Sequence, residues 1–454
     1  MCANIKLKQP LIRLIPMLID FSVKNFRSFK EKQTLTLVKD AGKEMIESNT
    51  FQTPAPASTA LVRSAAIYGA NSAGKSNLID AIRIFQKIIR ESSRKTSIND
   101  TLDLVPFRLS TDTENKPTEF EINFIVHGVR YQFGFIASQQ RILEEWLLAY
   151  PNRRPQMWYE RTFTNKSTHW EFGSKLSGAK QTWASATREN ALFLSTAVQL
   201  NSKQLTSVYD WLIGSLVIGG DGRLGADWTS NMCLEEVGKA QVLDFLENAD
   251  IDIKDLTAEK KPFDVDSFFP EVSEKERQRL DDVIQKSGLE YYKVQTSRYN
   301  NKNEKVFFDL ATESLVTQKL FELAGPWIDA LQNGHTLFID EMNNHFHPRL
   351  IEYLISLFNS SETNKHNAQL VFTTHETSIL NQNIFRRDQI WFVERDLMSG
   401  SSLFPLTDFS PRKSITNIET AYLSGRYGAI PNIKKSQLQV AEKNTSIHDN
   451  YKRM

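Results

Sequence analysis

The stretch Gly69-Ala70-Asn71-Ser72-Ala73-Gly74-Lys75-Ser76 constrains this chain more than any other part of it. It fits G-x-x-x-x-G-K-[ST] without deviation. The apolar run Ala65-Ala66-Ile67-Tyr68 precedes it. A segment from Lys75 to about Arg90 follows, with Leu78, Ile79, Ile82, Phe85 and Ile89 at helical spacing. Strand, loop and helix therefore come in the order a phosphate-binding loop needs. The glycines let the backbone curl so that its N–H groups point inward, and the helix N-terminus adds positive potential. On this reading Gly69, Asn71, Ser72, Ala73, Gly74, Lys75, Ser76 and Asn77 hold ATP. Lys75 contacts the β- and γ-phosphates, and the Ser76 hydroxyl faces Mg²⁺.

A phosphate loop needs a second buried strand that ends in an acid. Thr336-Leu337-Phe338-Ile339 supplies it, ending in Asp340-Glu341. Asp340 is expected in the Mg²⁺ shell, and Glu341 is the candidate that polarises a water. A third strand ends in Thr373-Thr374-His375, which makes His375 a candidate γ-phosphate switch. Lys75 lies near the start of the chain and Asp340 in its last third. Small GTPases and simple helicase cores keep these two much closer. A large insertion between them is how ABC-type heads of the SMC/RecF class are built.

Composition excludes several alternatives. The 454 residues carry 55 Lys+Arg and 54 Asp+Glu, so the chain is not globally basic. Local basic pairs remain: Arg90, Arg94 and Lys95; Arg153-Arg154; Lys260-Lys261; Lys434-Lys435. Two cysteines allow neither a disulfide framework nor a Cys-rich zinc module, which suits a reducing, cytoplasmic setting. No apolar run approaches the roughly 20 residues a bilayer needs. His345 and His347 form a weak metal pair without a third ligand.

The expected organisation runs in five parts. Residues 1–16 are an extension, and 17–189 an N-lobe with the phosphate loop and a hairpin-rich β subdomain. Residues 190–287 are a helical insertion or lid, 288–432 a C-lobe, and 433–454 a flexible tail. Within 190–287, Gln204 to Ile218 reads as one helix.

Several segments resemble known families. Asn25-Phe26-Arg27-Ser28-Phe29 resembles the opening strand of SMC/RecF-type ATPases. Glu313-Ser314 with Thr317 to Phe321, Asp340-Glu341 with His347-Pro348, and Thr373-Thr374-His375-Glu376 are similar to the bacterial AAA/ABC-like ATP-binding proteins of the RloA/AbiLi kind. So are Arg387 to Phe392 and Gly425-Arg426-Tyr427-Gly428-Ala429-Ile430-Pro431. The resemblance implies an α/β fold: an ABC-type (SMC/RecF-like) P-loop NTPase head with an added antiparallel β subdomain and a helical insertion. It adds Arg27 to the nucleotide-binding residues.

The same resemblance implies a head-to-tail homodimer or higher oligomer around two ATP molecules. Ser314 would then cap its helix and offer its hydroxyl to the nucleotide of the other subunit. It also implies ATP hydrolysis, expected to be slow because of this chain's departures from the pattern, and a separate effector, a nuclease or toxin, controlled during phage infection by a phage-derived trigger. A RecF-like repair ATPase that binds DNA, or a scaffold that binds ATP without turnover, are the alternatives. The segment after Phe392 is too short for a nuclease domain, so the chain itself is not expected to cut nucleic acid. Three departures from the pattern stand out. Val316 replaces a glycine, Asn343 an aspartate and His345 a serine. Pro106-Phe107-Arg108 occupies the region where a Q-loop glutamine is expected.

Overall fold

The computed structural model describes residues 16–432, apart from 55–59, 95–96, 98–99, 220–222, 264, 266–270, 288, 397, 399 and 410–416. The expected extension up to residue 15, the tail 433–454 with Lys434-Lys435, and Lys95 lie outside the described residues.

Numbered along the chain, the strands of the N-terminal half are β1 (Met17–Lys24), β2 (Gln33–Thr36), β3 (Thr50–Gln52), β4 (Ala60–Val62), β5 (Ser64–Gly69), β6 (Thr118–Val126), β7 (Val129–Ala137), β8 (Ile142–Tyr150), β9 (Gln156–Thr164), β10 (Ser167–Phe172) and β11 (Leu216–Gly219). Those that follow are β12 (Asp255–Pro262), β13 (Glu290–Tyr299), β14 (Lys305–Asp309), β15 (Thr336–Ile339), β16 (Gln369–Thr373), β17 (Ile390–Asp396) and β18 (Gly400–Pro405).

The central sheet runs β11-β15-β16-β5-β17-β18. Its first five strands are parallel and β18 returns antiparallel to β17. Both faces of this sheet are covered, which is why its strands read as continuous apolar runs. Ala65 and Ile67 face one core, and Ala66 and Tyr68 the other, by the two-residue alternation of a strand.

The first core joins the central sheet to an antiparallel sheet of order β10-β9-β8-β7-β6-β1-β2. The helix Lys75–Glu91 lies between them and buries Leu78, Ile79, Ile82, Phe85 and Ile89. Phe85 meets Phe21, Phe120, Phe133 and Phe135 at ring separations of 5.6 to 6.0 Å. The short helix Phe193–Gln199 braces the far end of this helix, where Ser195 Oγ donates to Ile89 O at 2.6 Å. That brace is itself fixed to the antiparallel sheet. The buried Glu145 carboxylate accepts the N–H groups of Phe193 and Leu194 at 2.7 and 3.0 Å, and the Tyr159 hydroxyl at 2.8 Å. Hydrogen bonds of this kind are what make a buried carboxylate tolerable.

The second core packs the helices Leu315–Asn333, Pro348–Asn359 and Ile418–Leu423 on the other face of the central sheet. A small antiparallel sheet, β12-β13-β14, stands beside it. The helix Leu315–Asn333 carries an interior proline, Pro326. Proline has no N–H, so Glu322 O loses its usual helical donor. The helix Arg223–Met232 packs tightly at this point. Gly325 N donates to Thr229 Oγ1 at 2.9 Å, and a Cβ on Gly325 would stand 2.8 Å from that same oxygen.

Residues 190–287 are more than a helical insertion. The stretch expected as one helix from Gln204 to Ile218 is the helix Lys203–Gly214 followed by β11, which forms the edge of the central sheet. The helix stops at Gly214 and Ser215, and β-branched Val217 and Ile218 continue as strand. A largely apolar run from Trp211 to Ile218, interrupted only by Gly214-Ser215, concealed that change of period.

Candidate active site

Parallel strands pointing the same way bring their C-terminal ends to one edge. Val393 pairs with Gly69, Ile67 with Thr373, and Phe372 with Ile339. The phosphate loop, Asp340-Glu341 and His375 therefore emerge side by side. The strand between the phosphate-loop strand β5 and the acidic strand β15 is β16, which carries His375 just beyond its tip.

The loop from Ala70 to Gly74 closes onto the helix Lys75–Glu91. Ala73 N bonds Ala70 O at 3.2 Å, and Gly74 caps the helix with φ 117°. Two serines support it from outside. Ser401 Oγ donates to Ala73 O at 2.5 Å, and Asn77 Nδ2 donates to Ser28 Oγ at 2.8 Å. A Cβ on Gly74 would lie 2.4 Å from Ser401 Oγ and 2.6 Å from Ser28 Oγ. Asn71, Ser72 and Ser76 are exposed, and Ala73 is buried.

Lys75 is only 6% exposed. Its Nζ donates to Gly69 O and Ala70 O at 2.9 and 3.0 Å, so the ammonium is folded back onto the loop. Burial pushes its pKa down to about 8, partly opposed by the charges of Asp340 and Glu341. Arg27 reaches the next turns of the same helix. It hydrogen-bonds and ion-pairs with Asp80 and approaches Asn77 Oδ1 at 3.5 Å.

The acidic turn is clipped to β16 by one hydroxyl. Thr373 Oγ1 donates to Asp340 Oδ1 at 2.5 Å and accepts the Glu341 N–H at 2.8 Å. Met342 N adds a bond to Thr373 O at 3.0 Å. Glu341 has a left-handed backbone, φ 51°, and its Oε2 accepts the Asn344 amide at 2.7 Å. Asn343 Oδ1 receives the Thr374 hydroxyl at 3.1 Å. His375 is lowered below the ordinary imidazole range, first by desolvation and then by the Lys75 charge, with Glu341 and Asp340 opposing.

A family model described as "AAA domain, putative AbiEii toxin, Type IV TA system" matches residues 64–381, from the phosphate-loop strand to just beyond His375. This chain belongs to that family.

The chain thus carries an AAA domain on a mainly parallel sheet, with the antiparallel β subdomain attached. It is similar to three solved structures. The SMC head bound to the C-winged helix domain of ScpA is 12% identical and matches with a TM-score of 0.39. It covers 86% of this chain and 97% of that one. The SMC head domain from Thermotoga maritima is 12% identical, TM-score 0.38, covering 86% and 98%. The recombination mediator RecF with ATP is 15% identical, TM-score 0.37, covering 87% and 100%. No curated protein matches significantly.

Ser314 stands apart from the cluster just described. It caps the helix Leu315–Asn333, with Oγ accepting Thr317 N at 3.2 Å, and it is exposed. Its neighbour Glu313 is held by Arg298 at 2.6 and 3.1 Å and by Thr296 at 2.5 Å. The bulky pair after Ser314 divides. Val316 packs inward on the second core, while Leu315 is 60% exposed.

His345 and His347 do not converge on a metal. His347 Nδ1 caps its helix by accepting Arg349 N at 3.2 Å, and no cluster of three or more ligands exists among the described residues. None of the described helices is long and apolar enough to cross a membrane. Ser401 and Asn344 are functional candidates that motif reading missed. Their partners are distant in sequence or lie within a loop of no fixed pattern.

Proposed function

We propose that this AAA-domain protein is a slow ATP-hydrolysing switch of a bacterial anti-phage, abortive-infection system, and that its nucleotide state controls a partner nuclease or toxin. The observation that carries the ATPase part is the Thr373 hydroxyl, which joins Asp340 to Glu341 beside the phosphate loop. In this reading Gly69 to Asn77 hold the triphosphate, Lys75 leaves the Gly69 and Ala70 carbonyls for phosphate oxygens, and Arg27 supports the helix from behind. Ser76 and Asp340 offer hard oxygen donors that suit Mg²⁺, with Thr373 occupying Oδ1 and leaving Oδ2 free to face the ion. When bound, Mg²⁺ neutralises phosphate charge. Glu341 accepts a proton from the attacking water, and His375 contacts the γ-phosphate.

Exposed Ser314 supports a head-to-tail dimer, in which each subunit's Ser314 completes the nucleotide site of the other. Val316 turns partly inward onto the second core, which leaves Leu315 as the bulky side chain exposed beside Ser314. The family's description, which names a toxin–antitoxin system, supports the defence reading.

Phosphate release and light scattering test the proposal together. Glu341→Gln should abolish turnover and trap an ATP-loaded dimer. Lys75→Ala should lose ATP binding and phage protection. ATP binding and protection that both survive Lys75→Ala would overturn it.

A further inference from the structure

Glu341 is held from the side away from the phosphate loop. Glu341 and Asn344 line a small cleft of about 100 Å³ together with Asp340, Lys319, Glu322 and Phe346, and no residue from Gly69 to Ser76 lines it. The left-handed φ at Glu341, fixed by its N–H bond to Thr373 Oγ1, sends the following turn toward this cleft. Asn344 then closes the turn twice, with its backbone N on Glu341 O at 3.0 Å and its amide on Oε2 at 2.7 Å.

A carboxylate oxygen that accepts an amide N–H has a lone pair committed and its rotamer fixed. We propose that Asn344 is a positioning residue that keeps Glu341 in a resting orientation, and that hydrolysis requires the Asn344–Glu341 hydrogen bond to break. This rests on the reading of Glu341 as proton acceptor. The Lys319–Glu322 ion pair, at 2.6 Å, belongs to the Ser314-capped helix and lines the same cleft. A shift of that helix reshapes the space that Glu341 occupies. The restraint therefore sits where engagement of Ser314 can release it.

The test is steady-state phosphate release by the full-length protein. Asn344→Ala should raise kcat by about three- to tenfold, the scale of one hydrogen bond to a charged group, and leave KM within about twofold. Asn344→Asp, which sets a like charge beside Glu341 and drives it out, should raise kcat as well. In the Glu341→Gln background neither substitution should change the rate. Unchanged or lowered kcat in both Asn344 variants overturns the proposal. So does a gain that persists without Glu341. A Glu341→Gln protein as fast as the parent would sink the proton-acceptor reading instead, and the Asn344 single variants separate the two failures.

Discussion

Asn343 Oδ1 accepts the backbone N–H of His375 at 3.0 Å. Asn343 thus binds the turn that presents His375. A neutral amide there leaves desolvation and Lys75 to keep the imidazole below its ordinary range. Asn343→Asp adds an opposing charge and should move the His375 titration midpoint upward, read by NMR of the imidazole. Lys75→Met should move it the same way. A midpoint that stays put in both variants would refute the electrostatic link.

Lys75 gives a pH dependence with a defined sign. Its pKa in the nucleotide-free protein is about 8, against an ordinary value of 10.5. Phosphate contact stabilises the ammonium, so above about pH 8 nucleotide binding must take up a proton. Affinity should fall about tenfold per pH unit beyond that point. Between about pH 8 and 10.5 the unfolded chain binds the extra proton, so this group's contribution to stability rises with pH across that window. Titration of a fluorescent ATP analogue from pH 7 to 9.5 checks the first claim. Lys75→Met should bind weakly and without this pH dependence.

Thr373→Val keeps the shape of a fully buried side chain and removes its hydroxyl. Asp340 Oδ1 and Glu341 N each lose a partner. The expected cost is about 1–3 kcal/mol in urea unfolding. The Mg²⁺ concentration for half-maximal phosphate release should rise, because Asp340 is no longer oriented. A variant equal to the parent in both measurements would show that the clip is dispensable.

Gly74→Ala meets two obstacles of different kind. Its backbone is left-handed at φ 117°, and its Cβ collides with Ser401 and Ser28. ATP binding should be lost and the Tm lowered. Adding Ser401→Gly and Ser28→Gly together relieves both collisions but leaves the backbone conformation, so part of the Tm should return while binding stays absent. Full recovery of binding would show that crowding alone demands glycine there.

Much of this was legible in order along the chain. The phosphate loop, β16 and the helix Pro348–Asn359 follow from motif and periodicity, because each is encoded by adjacent residues. The hidden parts depend on neighbours brought in by topology. β11 follows the helix Lys203–Gly214 with only Gly214 and Ser215 between two apolar stretches to mark its start. Ser401 supports Ala73 only because β18 returns along β17, the strand next to the phosphate-loop strand. Thr373 stands in a segment that was singled out for its histidine, yet its hydroxyl joins the two acids, which becomes visible once β15 and β16 are paired. Val316 and Leu315 read alike as bulk in the sequence, and only the helix phase turns Val316 partly inward and leaves Leu315 outside.

The helix that Ser314 opens is joined in two lengths. Behind Pro326 it is ordinary helix, while ahead of it the ladder skips a rung at Glu322, and Gly325 leans on Thr229 instead. The front turns bury Leu320, Phe321 and Ala324 against the core that also holds Leu337 and Ile339, so a push at the capped end would be felt by the strand that leads into Asp340 and Glu341.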